Sequence, residues 1–133
     1  MSGNAASQIR HHTLLEFTEK VQHVHGLVER YAMARQNTDE YLAPIGRAFA
    51  RLKTTFLGAG FDHLSQLCAA MEIASRRGHS RQMKVRILRD AVGSMRMQLD
   101  VELRSLLAEM KAEEEKQKEA RQQQAQQQPP ESS

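Results

Sequence analysis

Residues 47–77 read RAFARLKTTFLGAGFDHLSQLCAAMEIASRR, and this stretch decides the fold. Its first part, with the residues just before it, carries apolar side chains at spacings of three and four: Ile45, Phe49, Leu52 and Phe56. Gly58 and Gly60 follow, and glycine readily adopts the left-handed conformation that ends many helices. A second apolar series comes next at helical spacing: Leu64, Leu67, Cys68, Met71 and Ala74. The stretch therefore predicts two amphipathic helices joined by a glycine turn.

Two further amphipathic helices flank this pair in the sequence. The preceding one is predicted to begin at Thr13, which forms a capping box with Glu16, and to run to about Arg35. Its apolar stripe is Leu14, Phe17, Val21, Val24, Val28 and Tyr31. The following one is predicted to begin at Ser80, with the stripe Leu88, Val92, Met95, Leu99, Leu103, Leu106 and Met110. Four such helices with short connections predict an all-α, antiparallel up-down four-helix bundle over residues 11–111.

The two ends of the chain differ in composition from this central region. Residues 1–10 are small and polar, and we expect them to be disordered. Residues 112–133 form a polar, glutamine-rich tail. Charge pairs such as Glu114 with Lys118 could extend the last helix into this tail as a solvated rod, which must end before Pro129. The alternative is that the tail is a flexible end.

The overall composition fits a small helical domain. The chain has 133 residues, of which 40% are hydrophobic and only 5% aromatic, so aliphatic side chains and methionine must fill the core. The formal charge of +3 is modestly basic and fits docking on an acidic protein as well as it fits nucleic acid. No apolar run reaches membrane-spanning length, and the N-terminal residues do not resemble a signal peptide. We expect a cytoplasmic protein without membrane association.

The side of the second helix opposite its apolar stripe is unusual for a solvated surface. It is small, mildly apolar and carries a single charge, with two arginines adjoining it. We predict that this side binds a protein partner. The predicted partner-binding residues are Gly46, Arg47, Ala50, Arg51, Lys53, Thr54 and Leu57.

The central stretch resembles the histidine-containing phosphotransfer (HPt) family, whose domains are four-helix bundles. The family pattern on the second helix is an exposed His, one residue, an apolar residue, Lys and Gly. A further Gly follows six residues later, and then a third helix of the Leu-x-x-Leu-Cys type. This chain matches that pattern in register at Leu52, Lys53 and Gly60, and then at Leu64, Leu67 and Cys68. The detailed match covers about 28 residues of the chain.

The resemblance departs from the family pattern at its reactive position. Ala50 stands where the family carries the phosphoacceptor His, and Thr54 stands where the small Gly follows the Lys. Alanine has no nucleophilic nitrogen and cannot form a phosphoramidate. The resemblance therefore implies a pseudo-HPt domain of two-component phosphorelay signalling with no catalytic residue and no cofactor. Its implied partner is a response-regulator receiver domain or a histidine kinase, and Lys53 is implied to lie against the acidic pocket of the receiver.

Other candidate chemistry in the sequence is weak. The single Cys68 lies on an apolar stripe and is expected to be buried and inert. His23 and His25 point in different directions on a helix, so no metal site is expected. His63 is the remaining candidate for phosphorylation, if the partner docks nearer to the third helix than it does in the HPt family. No nucleotide-binding or hydrolase motif occurs, and we expect no enzymatic activity.

Two alternatives to the HPt interpretation stay open. The first is a helical protein-interaction adaptor outside two-component signalling, with a homodimer formed through the last helix and tail. The second is weak nucleic-acid binding by a cluster of basic residues between positions 76 and 89. This cluster consists of Arg76, Arg77, His79, Arg81, Lys84, Arg86 and Arg89. Because it lacks aromatic residues that could stack on bases, nucleic acid is the less favoured partner.

Overall fold

A computed structural model describes residues 2–127, with side chains from Ala5 to Gln126. The helices are α1 (Ser2–Met33), α2 (Leu42–Gly58), α3 (Asp62–Arg76) and α4 (Arg81–Gln127). A short 3₁₀ turn, Thr38–Tyr41, leads into α2. No strand occurs within residues 2–127, so the all-α prediction is confirmed. No helical segment in this range combines the length and the hydropathy that a bilayer crossing needs.

The turn between α2 and α3 closes as the glycine pattern predicts. Gly60 has a φ of +83°, which is the left-handed conformation. Its N–H donates to the carbonyl of Leu57, and the N–H of Phe61 donates to the carbonyl of Phe56 at 2.9 Å. This pair of hydrogen bonds is a Schellman motif, and the Phe56 and Phe61 rings supply its accompanying apolar contact. Gly60 therefore ends α2, whereas Gly58 is still part of the helix.

One hydrophobic core joins the four helices. The predicted stripe of α1 is entirely buried, and so are all four apolar positions predicted for α2. The stripes of α3 and α4 are mostly buried, with half-buried members such as Leu67, Leu103 and Met110 packed against the same core. α1 packs against α2 and α4, and α3 packs against α2 and α4. The contacts thus run in a closed ring around the core.

The structure corrects the prediction that a capping box at Thr13 starts the first helix, and residues 2–10, which are predicted to be disordered, are helical; Met1 lies outside the described residues. α1 begins at Ser2, and the Thr13 hydroxyl donates back to the Ile9 carbonyl at 3.0 Å inside the helix. Arg10 lies 3.7 Å from Glu102, so the antiparallel α1 and α4 are in register there. Both helices rise by the same distance per residue, so the residue eight positions before Arg10 lies near the one eight positions after Glu102. This places Ser2 beside about Met110. The first turns of α1 bury little, because Ala5, Ala6, Gln8 and Ile9 are exposed.

The last helix continues past this contact. Ser80 caps it, because the N–H of Met83 donates to the Ser80 hydroxyl at 3.2 Å. α4 then runs to Gln127, which agrees with the predicted extension into the tail, and Pro129 lies outside the described residues. Beyond Met110 its described side chains are exposed, except for the half-buried Gln117. This segment is about 25 Å long.

Gly26, within α1, does not lie at a close crossing between helices. A Cβ atom built at Gly26 would meet no atom within 4 Å. Gly46 is the glycine at a close crossing, because a Cβ atom there would lie 3.0 Å from the Ser75 hydroxyl oxygen. Gly46 of α2 therefore lies close to the Ser75 side chain of α3.

Candidate protein-interaction site

Ala50 lies near the middle of α2 on a side that solvent reaches. The residue is half-buried, and its carbonyl accepts a hydrogen bond from the Thr54 hydroxyl at 3.3 Å. Arg47, Arg51 and Thr54, which adjoin it on the helix, are exposed. The core side of α2 is formed by other positions, so Ala50 is part of the surface. Its methyl group offers no atom that could accept a phosphoryl group.

The structure brings most of the predicted partner-binding residues to one surface. Leu57, near the C-terminal end of α2, is 61% exposed. We call this set the α2 surface, and it consists of Arg47, Ala50, Arg51, Thr54 and Leu57. Arg47 and Arg51 make no ion pair or hydrogen bond through their side chains among the described residues. The α2 surface therefore offers two uncompensated positive charges beside an apolar contact.

Gly46, which is among the predicted partner-binding residues, does not belong to the α2 surface. It is buried against Ser75 of α3. The helical repeat puts position 46 on the same side as Lys53, which also turns toward α3. A side chain at position 46 would crowd α3, because a Cβ atom there would lie 3.0 Å from the Ser75 hydroxyl oxygen.

Lys53 is half-buried and paired inside the protein. Its ammonium nitrogen lies 3.2 Å from Glu72 Oε2, while Glu72 Oε1 accepts a hydrogen bond from Arg76 at 3.1 Å. The Lys53 carbonyl accepts a hydrogen bond from the Ser65 hydroxyl at 2.9 Å. Sequence reasoning missed Glu72, although it is the only acidic residue of α3 after Asp62. The charge of Lys53 is thus largely compensated before any partner arrives.

The basic cluster between positions 76 and 89 is mainly structural. Arg81 donates to the carbonyls of Tyr31 and Ala32, at 3.1 and 2.7 Å, at the C-terminal end of α1. Lys84 is only 8% exposed and donates to the Ser75 carbonyl at the end of α3. The first turns of α4 therefore supply cations to the negative ends of two neighbouring helix dipoles. With Arg76 and Arg89 also paired, Arg77, His79 and Arg86 are the members of the cluster that are exposed and have no side-chain partner among the described residues.

Cys68 and the histidines are the other candidates for a reactive or metal-binding site. Burial raises the pKa of the Cys68 thiol to about 12, which keeps it protonated at neutral pH and makes it a poor nucleophile. Within the part of the chain that the structure describes, no three His, Cys, Asp or Glu side chains are grouped so that they could hold a metal ion. His63 is exposed in the first turn of α3, and His25 lies 3.6 Å from Glu29.

The ion pair between Glu29 and Arg89 should give a measurable pH dependence of stability. The Arg89 side chain donates two hydrogen bonds to Glu29, at 2.8 and 2.7 Å, and these hold the pKa of that carboxyl below its ordinary value of 4.5. A lowered pKa in the folded state stabilises the protein above pH 4.5, and the effect is lost as the pH falls through the folded-state value. Urea unfolding of the wild type and Glu29→Gln should therefore show a difference that shrinks on acidification. Glu109→Gln, which removes an exposed carboxylate, is the control, and a pH-independent difference for Glu29→Gln would contradict the assignment.

Comparisons of this chain with protein-family models, with curated proteins and with solved structures found no match. The fold and the surface chemistry of the chain are therefore the basis for assigning a function.

Proposed function

We propose that this chain is an HPt-like four-helix bundle that binds a receiver domain through the α2 surface and transfers no phosphoryl group. One observation carries the proposal: Ala50 lies at the solvent-accessible middle of α2, between unpaired Arg47 and Arg51, with Leu57 near the C-terminal end of the helix. A phosphoacceptor His must be reachable by a partner, and position 50 meets that requirement. The closed ring of helix contacts and the antiparallel order of α1 and α4 support the bundle.

In the proposed mechanism, this chain occupies the docking surface of the receiver without accepting its phosphoryl group. A receiver carries its phosphoryl group on an aspartate in an acidic pocket, and the cations of the α2 surface complement that pocket. Since position 50 has no nucleophilic nitrogen, the phosphoryl group stays on the receiver while the surface is covered. The bound chain would compete with active phosphotransfer partners or hold the receiver in a complex. A histidine kinase that presents a similar acidic surface is the other partner of this class.

The compensated charge of Lys53 changes how the receiver is expected to dock. Because Glu72 already holds the ammonium group, Arg47 and Arg51 are the better candidates for contact with the acidic pocket. Lys53→Glu is a poor test of docking, since it would place a second carboxylate beside Glu72 and disturb the contact between α2 and α3. A test of the interface needs a residue that has no structural role.

Leu57→Glu is that test. The side chain is exposed, so the variant should keep the helical circular-dichroism signal, while a carboxylate facing an acidic receiver should weaken binding about tenfold or more. The measurement is titration of the wild type and the variant with a panel of purified receiver domains. Leu107→Glu, at an exposed leucine of α4, is the matched control. Equal receiver binding by the wild type and Leu57→Glu, or stable phosphoryl label on a histidine of the wild type, would overturn the proposal.

The adaptor alternative is favoured by one observation, the continuation of α4 for about 25 Å beyond Met110. A helix that extends past its own core can serve as an association surface, including for a homodimer. Deleting residues 112–133 separates the two functions. Loss of self-association and of all partner binding would favour the adaptor, whereas the α2 surface should keep its receiver binding after the deletion.

A further inference from the structure

A groove between α1 and α2 adjoins the α2 surface and shares Arg47 and Arg51 with it. The groove encloses about 660 Å³. Its floor is apolar and includes the half-buried Leu27, Pro44 and Ala48 above the buried Val24 and Leu52. Its rim is polar and charged, with Glu19, Lys20 and His23 on α1 and Arg47, Arg51 and Thr55 on α2.

The rim has an excess of positive charge that the protein does not compensate. Lys20, Arg47 and Arg51 carry three positive charges against the single carboxylate of Glu19, which leaves +2 with His23 neutral. None of these side chains takes part in an ion pair within the described residues. Elsewhere on the protein, Lys53, Arg76, Arg81 and Arg89 are all held by internal partners. Other exposed cations, such as Arg77, Arg86 and Arg96, also have no side-chain partner among the described residues. The groove differs from their surroundings because three unpaired cations line one apolar floor there.

We propose that this groove binds an acidic amphipathic α-helix of a protein partner. The groove extends from Pro44 to Thr55 on α2, a rise of about 16 Å, which corresponds to about three helical turns of the partner. Apolar side chains at helical spacing would cover the floor, and flanking carboxylates would face the rim cations. Charge complementarity selects an acidic partner, and the apolar floor with no aromatic residue disfavours a nucleic acid. The inference goes beyond receiver binding and requires no phosphorelay partner.

The test uses two stapled helical peptides of about twelve residues as probes. One carries leucines at helical spacing flanked by glutamates, and the other has glutamine in place of every glutamate. Fluorescence anisotropy at low salt measures affinity, and amide chemical shifts locate the site. The acidic peptide should bind at least about tenfold more tightly than the glutamine peptide and shift Leu27, Ala48 and Leu52. Lys20→Glu and Arg47→Glu should each weaken it severalfold, while Arg96→Glu, an exposed cation of α4, should not.

Three results would overturn the proposal. They are equal binding of the two peptides, shifts that lie outside the groove, and tighter binding of a single-stranded oligonucleotide to the same residues. The groove and the α2 surface can be tested separately, because Lys20 belongs only to the groove and Leu57 only to the α2 surface. Lys20→Glu should weaken binding of the acidic peptide and leave binding of a receiver domain unchanged. Leu57→Glu should weaken binding of the receiver domain and leave binding of the peptide unchanged.

Discussion

With the proposed receiver binding, Ala50→His is expected to give this chain a site that accepts a phosphoryl group. The new imidazole would stand at the middle of α2, on its solvent-accessible side, with Arg47 and Arg51 beside it. In the transfer, a bond forms between an imidazole nitrogen and phosphorus while the bond between phosphorus and the receiver aspartate breaks, which frees the carboxylate. The nearby cations would stabilise the charge that develops on the phosphoryl oxygens. The wild type should therefore carry no phosphoryl label, and Ala50→His should carry about one phosphoryl group per molecule.

The measurement follows a radiolabelled phosphoryl group from purified phosphorylated receivers to this chain. Thr54 lies one turn from position 50, so Ala50→His combined with Thr54→Gly should accept the label faster, at a cost of about 0.3 kcal/mol in helix stability. Ala108→His adds a histidine to an exposed position of α4 and is the control. Label on the wild type, or equal label on Ala108→His and Ala50→His, would show that position 50 has no special relation to a receiver.

The fold could be predicted largely from the spacing of apolar residues. The stripe from Leu14 to Tyr31 and the four apolar positions of α2 are buried as predicted, because a helix can satisfy that spacing only by turning one side to the core. The start of α1 could not be predicted in the same way. Residues before Thr13 carry no apolar stripe of their own, and Ala5, Ala6, Gln8 and Ile9 are exposed in the helix, so no burial pattern in the sequence marks its start.

The composition of the candidate site was harder to predict than the fold. The exposure of Leu57 and Arg51 follows from helical periodicity, and the structure agrees. The burial of Gly46 depends on how closely α2 approaches α3, and the pairing of Lys53 depends on how far its side chain reaches toward Glu72. Periodicity gives neither the distance between two helices nor the direction of a long side chain. The roles of Arg81 and Lys84 were missed for the same reason, since their acceptors are carbonyls at the ends of other helices.

Phe56→Ala is expected to have the largest effect on stability. The ring is fully buried and meets Phe17 edge-to-face, with centroids 5.4 Å apart, while Phe61 completes the cluster at 6.4 Å. These contacts join α1, the end of α2 and the start of α3. Removing the ring should lower the free energy of unfolding by about 3–5 kcal/mol, a large part of the total for a domain of this size. The midpoint of thermal unfolding should fall by roughly 10–20 °C.

Leu57→Ala is the matched control, because it changes the next residue of the same helix at an exposed position and should cost less than about 1 kcal/mol. Phe56→Leu should lower the free energy of unfolding by an amount between those of Phe56→Ala and Leu57→Ala, since it keeps most of the apolar volume and loses the edge-to-face contacts. Hydrogen exchange adds a local measurement. The amide of Phe61 donates to the Phe56 carbonyl, so loss of the ring should expose that amide earlier than amides in the middle of α1. Similar unfolding midpoints for Phe56→Ala and Leu57→Ala would mean that the aromatic cluster does not hold the α2–α3 turn against α1.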